Sequence, residues 1–414
     1  MTADLSLRLQ GARLGPGDRL VSVLERSEWN IFLYAACVRA GVIYVPLNPR
    51  LTTAELSPII ADADPALIVC DPGSESTLAA LLPPGDVRLR TLDTLGQGSL
   101  MEQCHAGGAP DVELPSGHPA AIIFTSGTTG RPKGALMPHE LFVGKARSLG
   151  SAVGYTAQDR LLHTLPLYHA HGLFMTLHCV LNAGASILLL PKFDAPEVVA
   201  NLPAVTMFSG VPTMYKRLLE EPGLKDAAAG VRLFISGSAA LPREVFAAFD
   251  ERAGHRILEC WGMSETMTNT ASPLYGERRP GCAGKALPGV TVRAVDAVGQ
   301  PVPAGMPGTL EVGFTSPFGG YWRRAASEQP RMRDGCMVTG DIGAIDEEGY
   351  VTIVGRTSET IISGGYNVYP REVEIALEEM PEVSRAAVFA VRHPDYGEAV
   401  AAAVELAPGT QLDG

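Results

Sequence analysis

Charge is scarce in this sequence. Only 19% of its 414 residues are Asp, Glu, Lys or Arg, and the balance is acidic, with a formal net charge of −12. Such a field repels a phosphate polymer, which argues against nonspecific nucleic-acid binding. Cysteine is sparse and scattered: the seven residues (37, 70, 104, 179, 260, 282 and 336) include no C-x-x-C. A disulfide framework or zinc knuckle is therefore not expected, and the default compartment is a reducing, cytoplasmic one. No apolar run reaches bilayer-spanning length, and the polar start Met1-Thr-Ala-Asp4 is not a signal peptide. Internal repeats are lacking too. What is present is a 46% hydrophobic chain, longer than one typical domain and able to bury large cores.

Short apolar runs alternate with helical patterns in the first part of the chain. Leu20 to Leu24, Val42 to Val45 and Ala66 to Cys70 read as buried strands. Between them lie an amphipathic helix from Ser27 to Ala40, stopped by Gly41, and a second helix opened by the capping box Thr52-Thr-Ala-Glu55. That alternation implies parallel α/β layers. Asp4 to Gly15 reads as the tail of a helix, and residues 71 to 117, rich in Gly, Pro, Asp and Ser, as peripheral segments with loops. Further strands, Val205 to Phe208, Arg232 to Ile235 and Ile257 to Cys260, each run into small-residue turns, where open α/β sheets bind ligands.

After about Gly289 the texture changes to short strands and tight turns, with a hairpin expected across Asp346-Glu-Glu-Gly349. The expected fold is α/β: a large N-terminal domain of parallel α/β layers plus a small β subdomain, then an incomplete small α+β C-terminal domain. The expected boundaries are 1–357, with the β subdomain at about 290–357, and 358–414.

One stretch carries most of the chemistry. The apolar strand Ala120 to Phe124 delivers the chain into Thr125-Ser-Gly-Thr-Thr-Gly-Arg-Pro-Lys-Gly134. Gly127, Gly130 and Gly134 let backbone N–H groups close on an anion. Thr125, Ser126, Thr128 and Thr129 add hydroxyls, and Lys133 adds a positive charge. The chemistry is that of a triphosphate cradle, but not of a Walker loop, because Pro132 and Gly134 break the G-x-x-x-x-G-K-[ST] spacing. The bland alternative is a Gly/Thr-rich surface turn.

Five segments in order resemble the adenylate-forming superfamily of acyl-CoA synthetases, luciferases and adenylation domains. They are Thr125 to Gly134, Trp261-Gly-Met-Ser-Glu-Thr266, Thr339-Gly-Asp341, Gly355-Arg356 and Gly364-Gly-Tyr-Asn367. Finer matches are similar to malonyl-CoA synthetases: Leu165-Pro-Leu-Tyr-His-Ala-His171-Gly172, Gly210 to Tyr215, Phe234 to Ala239, and Met263 to Thr270 followed by Gly276-Glu-Arg278-Arg279-Pro-Gly281.

The resemblance implies an ATP-dependent acid:CoA ligase. A carboxylate attacks the α-phosphorus of ATP and expels pyrophosphate; the CoA thiolate then attacks the acyl carbon and displaces AMP. On that reading residues 125–133, Arg131 and Pro132 included, hold the β- and γ-phosphates, and Thr128 with Glu265 places Mg²⁺. Ser238, Ala239 and Trp261 flank the adenine, Asp341 accepts from the ribose hydroxyls, and Arg356 reaches the ribose or a phosphate. His171 and Met263 lie at the acyl pocket, Arg278 or Arg279 grips a second carboxylate, and Gly364, Gly365 and Tyr366 face CoA. The expected partners are thus a small carboxylate (malonate or methylmalonate), ATP and CoA. A fatty or aryl acid ligase and a non-catalytic nucleotide-binding remnant are the alternatives. A metal cluster at His163, His169, His171 and His178 is a weaker reading, since no Cys or carboxylate completes a ligand set.

Two departures from the family pattern stand out. The usual hinge G-R-x-K-D reads Gly355-Arg-Thr-Ser358-Glu359 here, so Glu359 takes the pivot position. The P-K-x-x-x-G-K context that carries the adenylating lysine does not occur. The chain is therefore expected to be a piece truncated at both ends, binding ATP and Mg²⁺ better than it adenylates.

Overall fold

The computed structural model describes residues 1–83, 86–102, 112–115, 117–125, 132–316, 318–363, 366–407 and 409–410. It divides into two compact units. Met1–Pro280, Leu287–Gly289 and Phe314–Pro330 form the first; Gly281–Ala286, Val290–Gly313 and Arg331–Gly414 form the second.

Two sheets organise the first unit. In one, the order is Leu89–Thr91, Leu67–Cys70, Arg19–Val23, Ile43–Pro46, Pro119–Thr125, Lys133–Pro138. All neighbours are parallel except the last pair, where Lys133–Pro138 turns back against Pro119–Thr125. In the other, Ser186–Leu189, Arg160–His163, Met207–Gly210, Leu233–Ser236 and Leu258–Met263 run parallel, and Met267–Ala271 returns antiparallel to Leu258–Met263. The central strands are buried along nearly their whole length, as the unbroken apolar runs demand of a sheet covered on both faces.

The helices between these strands obey their local signals. Glu28–Ala40 begins after Ser27, whose N–H donates to Asn30 Oδ1 (2.8 Å), and ends at Gly41 with φ +72°, a left-handed C-terminal position. Thr53–Ala63 opens with its capping box: the Thr52 N–H donates to Glu55 Oε2 at 2.8 Å. Aromatic clusters fill the cores. Phe142 stacks on Phe174 (centroids 4.6 Å apart) in one, and Phe234 packs edge-on against Phe249 (4.9 Å) in another.

Two readings of the sequence needed revision. The 71–117 stretch is not only loop: Leu89–Thr91 adds an outer strand, stitched by Ser99 Oγ, which accepts from the Thr91 N–H at 2.9 Å. Three residues are too few to show a period, so no pattern marked it. The strand expected to stop at Cys260 runs on to Met263, with a bulge between Trp261 and Gly262. Gly262 allows this, because a Cβ there would lie 1.9 Å from the Met267 carbonyl oxygen, and Met267 itself takes φ +56°.

The second unit holds two antiparallel sheets. One contains Val290–Val295, Gly308–Phe314, Cys336–Ile345 and Met332–Arg333, with Val351–Arg356 paired to Cys336–Ile345 through the turn at Asp346. Its buried Glu311 is neutralised by Arg293 (2.7 Å) and Arg333 (2.9 Å). The other orders Tyr366–Val368, Ile361–Ser363, Gly397–Leu406 and Val383–His393, with the helix Pro370–Glu378 against its outer strand. Pro370 starts that helix as its fixed φ predicts.

Candidate active site

Each sheet of the first unit ends one central strand in a turn that carries a motif. Thr125 closes Pro119–Thr125, and its hydroxyl donates to the Lys133 carbonyl at 3.4 Å across the hairpin. Ser126, Gly127, Thr128, Thr129, Gly130 and Arg131 lie outside the described residues. Beyond them the return strand is held firmly. Arg324 donates to the Pro132 carbonyl (3.0 Å) and makes a two-pronged pair with Asp62, at 2.7 and 3.1 Å, both side chains being buried. Gly319 to Trp322 run alongside: Gly319 N–H donates to Leu136 O (3.0 Å), Leu136 N–H to Gly320 O (2.9 Å) and Trp322 N–H to Gly134 O (2.8 Å).

That flanking segment supplies a residue the sequence reading missed. The Tyr321 hydroxyl donates to Glu265 Oε1 at 2.8 Å, and the Lys133 ammonium lies 5.3 Å from the centre of the Tyr321 ring. One tyrosine thus links the cation of the first hairpin to the carboxylate of the second. Burial and the adjacent Glu265 push its phenol well above the usual range, so it stays a donor. A Tyr after two glycines in an Arg-rich stretch was the only sequence signal for it.

The second hairpin turns at Ser264, and Glu265 in that turn is buried. Trp261 sits buried opposite Thr270, and Met263 ends the strand half-buried. Behind them Lys145, 6% exposed, donates to the Thr268 carbonyl (3.2 Å) and lies 4.7 Å from the centre of the Phe314 ring. Among the described residues no carboxylate meets it, and burial lowers the amine to about 7.

The histidines separate into different roles. His171 is partly buried on the π-helical turn Ala170–Thr176, with Nδ1 2.9 Å from Ser238 Oγ and Nε2 3.0 Å from Ser209 Oγ. In either tautomer one serine accepts and the other donates. Burial, then His169, depresses it to about 4, so the imidazole is neutral at physiological pH. Ser238 holds this contact from φ +69°, an uncommon conformation for a side-chain-bearing residue. Ala239 follows it on the exposed rim of the turn. His178 instead meets the Tyr34 hydroxyl (2.7 Å) in the aromatic core, and His169 is exposed beside Tyr168.

The two candidate arginines differ. Arg278 directs Nε to Pro273 O (3.2 Å), Nη2 to Leu274 O (3.0 Å) and Nη1 to Arg256 O. Arg279 pairs with Glu277 at 2.8 Å. In the second unit, Asp341 and Arg356 face each other across antiparallel strands, 3.1 Å apart, with the Asp341 N–H donating to Thr339 Oγ1 (3.0 Å). Glu359 is exposed in the short helical turn Thr357–Glu359, Tyr366 is exposed, and Gly364 and Gly365 lie outside the described residues.

Two mainly parallel sheets, each closed by a motif-bearing hairpin, together with smaller antiparallel sheets, define the fold of adenylate-forming enzymes. Residues 2–322 match the model of the AMP-binding enzyme family, and the chain belongs to that family. It is 34% identical over 407 residues to a probable CoA ligase, CCL8, of Humulus lupulus, covering 88% of this chain and 66% of that protein. It is also 34% identical over 392 residues to the malonate–CoA ligase of Arabidopsis thaliana, covering 88% and 64%. The chain thus spans slightly less than two thirds of the length of these relatives. The ATP-bound MatB structure from Rhodopseudomonas palustris superposes with a TM-score of 0.93 at 40% identity, over 100% of this chain and 84% of that one. Among the described residues no helix is long and apolar enough to cross a membrane.

Proposed function

We propose that this chain carries the nucleotide- and acid-binding machinery of an ATP-dependent acid:CoA ligase, with malonate or methylmalonate as the acid. The observation that carries the substrate class is the state of Arg278. Three of the five N–H donors of its guanidinium go to backbone carbonyls, and among the described residues no carboxylate meets it. A guanidinium aimed by neutral acceptors is preorganised for a carboxylate that arrives with the ligand. Arg279, already beside Glu277, is the weaker candidate. The names of the Arabidopsis relative and of other CoA ligases at similar identity support the wider reading.

In the first step a carboxylate oxygen bonds to the α-phosphorus of ATP as the bond to pyrophosphate breaks, giving an acyl-adenylate. In the second, the CoA sulfur bonds to the acyl carbon and AMP leaves. An anion must approach a polyanion, so the protein's task is positioning and charge neutralisation. Lys133 supplies a cation to the phosphates, its ammonium steadied over the Tyr321 ring. Neutral His171, fixed by two serines, offers a polar wall to the acid without adding charge. Asp341 is suited to accept from ribose hydroxyls.

Among the described residues no cluster of three or more His, Cys, Asp or Glu would hold a metal ion unaided. Glu265, a buried carboxylate with one oxygen oriented by Tyr321, suits a hard, hydrated cation that arrives on the triphosphate. Mg²⁺ bound there would offset phosphate charge.

Pyrophosphate release measured across malonate, methylmalonate, acetate, butyrate and benzoate tests the reading. Malonate-class acids should dominate, Arg278→Ala should raise their KM by about 10²-fold, and Arg279→Ala should have little effect. Equal use of monocarboxylates, with Arg278→Ala indistinguishable from the parent, would overturn it.

A further inference from the structure

We infer that Arg26 is a positioning residue for the acid-binding region, acting on His171 through His163 and Gly172; the inference rests on the ligase reading above. Arg26 follows the strand Arg19–Val23 in one sheet, whereas His163 ends the strand Arg160–His163 in the other. A single nitrogen, Nη2, donates both to the His163 carbonyl (2.6 Å) and to His163 Nδ1. An arginine has no lone pair to offer, so Nδ1 must be the acceptor and the ring proton must sit on Nε2. That proton points to the Gly172 carbonyl at 2.9 Å. One tautomer satisfies all three contacts.

Gly172 is the next residue after His171 and lies in the same turn. It has no room for a side chain: a Cβ at that position would stand 2.2 Å from the Pro166 carbonyl oxygen, so the two backbones approach closely there. The Thr176 hydroxyl closes the turn onto the His171 carbonyl. The imidazole of His171, held between Ser209 and Ser238, sits on a turn that, among the described residues, is anchored at Gly172 by the His163 side chain. His163 is 1% exposed, and burial with the Arg26 charge keeps its ring neutral, the form this relay requires.

Arg26 itself is unusual. Its Nε and Nη1 are buried and find no acceptor among the described residues. A buried cation without a carboxylate adds little to stability by itself. What this one supplies is an oriented donor, locking a histidine tautomer behind the turn that presents His171.

The full chain, Arg26→Met and Arg26→Lys are compared in two measurements. With ¹⁵N-labelled histidine, NMR at neutral pH should show His163 as the neutral Nε2-protonated ring in the parent. Arg26→Met should lose that signature and move the His171 resonances, and Arg26→Lys, which keeps a cationic donor, should restore them. In pyrophosphate release, Arg26→Met should raise the KM for the acid by about 10- to 100-fold, as a small misplacement does, with the KM for ATP unchanged. His171 resonances in Arg26→Met superposing on the parent would overturn the inference. So would KM values for acid and ATP rising together, the outcome of general loosening. A parent that uses no acid sinks the ligase reading instead, and the NMR comparison still decides the role of Arg26.

Discussion

The two motif-bearing hairpins of the first unit are built alike and braced differently. In both, a parallel strand reaches the end of its sheet, turns, and returns antiparallel: Pro119–Thr125 into Lys133–Pro138, and Leu258–Met263 into Met267–Ala271. The first return strand is braced by charge, through the buried Arg324–Asp62 pair that also holds Pro132, and by the backbone bonds of Gly319 to Trp322. The second is braced by a buried amine, Lys145, on the Thr268 carbonyl and the Asn269 side-chain oxygen. A buried amine depressed to about 7 holds it at an electrostatic cost that changes with pH. Tyr321 joins the two hairpins, and its two contacts are the only direct side-chain links that the described residues show from Lys133 to Glu265.

The largest effect is expected where the charge bracing is broken. Arg324→Leu leaves Asp62 buried without its two-pronged partner and should lower stability by about 3–5 kcal/mol. Adding Asp62→Leu should recover most of that loss, since a buried pair replaced whole by apolar groups is nearly neutral. Urea unfolding of the two variants checks both. A double variant no more stable than the single one would mean that the Pro132 contact, rather than the pair, holds the first hairpin.

A smaller effect tests the link. Tyr321→Phe removes the hydroxyl from Glu265 while leaving a ring over Lys133, so it should reduce kcat by about tenfold, the worth of one hydrogen bond to a charged group. Tyr321→Ala removes both contacts and should lose more. Equal rates for the two variants would show that only the hydroxyl matters, and titrating Mg²⁺ in Tyr321→Phe should reveal a weaker metal dependence of the rate.

The smallest effect separates the two kinds of bracing. Lys145 binds its proton less tightly when folded (about 7) than when unfolded (10.5). Between those values the unfolded chain carries more protons, so stability rises with pH, by at most about 1.4 kcal/mol per unit from this group. Below 7 the full cost of the buried charge is present. Lys145→Met should remove this slope and raise stability near neutrality. The difference between parent and variant, followed by denaturation from neutral to alkaline pH, is the measurement; parallel curves would show that Lys145 keeps its ordinary affinity for protons.

How far these features could be read in advance depended on their range. The Thr52–Glu55 capping box, the helix stop at Gly41, the buried parallel strands and the Asp346–Gly349 hairpin all arise from residues a few positions apart. They were legible because such contacts write themselves into local pattern. The return strand Lys133–Pro138 was not foreseen, since Lys133-Gly-Ala-Leu-Met-Pro has little alternation and ends on a proline. Nor was Leu89–Thr91, whose strand character comes from its neighbour.

The candidate site followed the same division. Lys133, Glu265, His171, Asp341 and Arg356 were marked by residue type and surrounding motif, and Asp341 with Arg356 fell opposite each other because a hairpin register leaves little choice. The partner of Glu265 lies 56 positions away, in a stretch without periodicity. Between Arg278 and Arg279 the order of letters was neutral. Their partners separate them, because one guanidinium is bound to neutral acceptors and the other to its neighbouring carboxylate. Chemical identity, local spacing and strand character were thus written along the chain. Which side chain meets which, and at what charge, awaited the folded state, because burial and long-range contact set hydrogen-bond partners and proton affinities and neither has a fixed spacing in sequence.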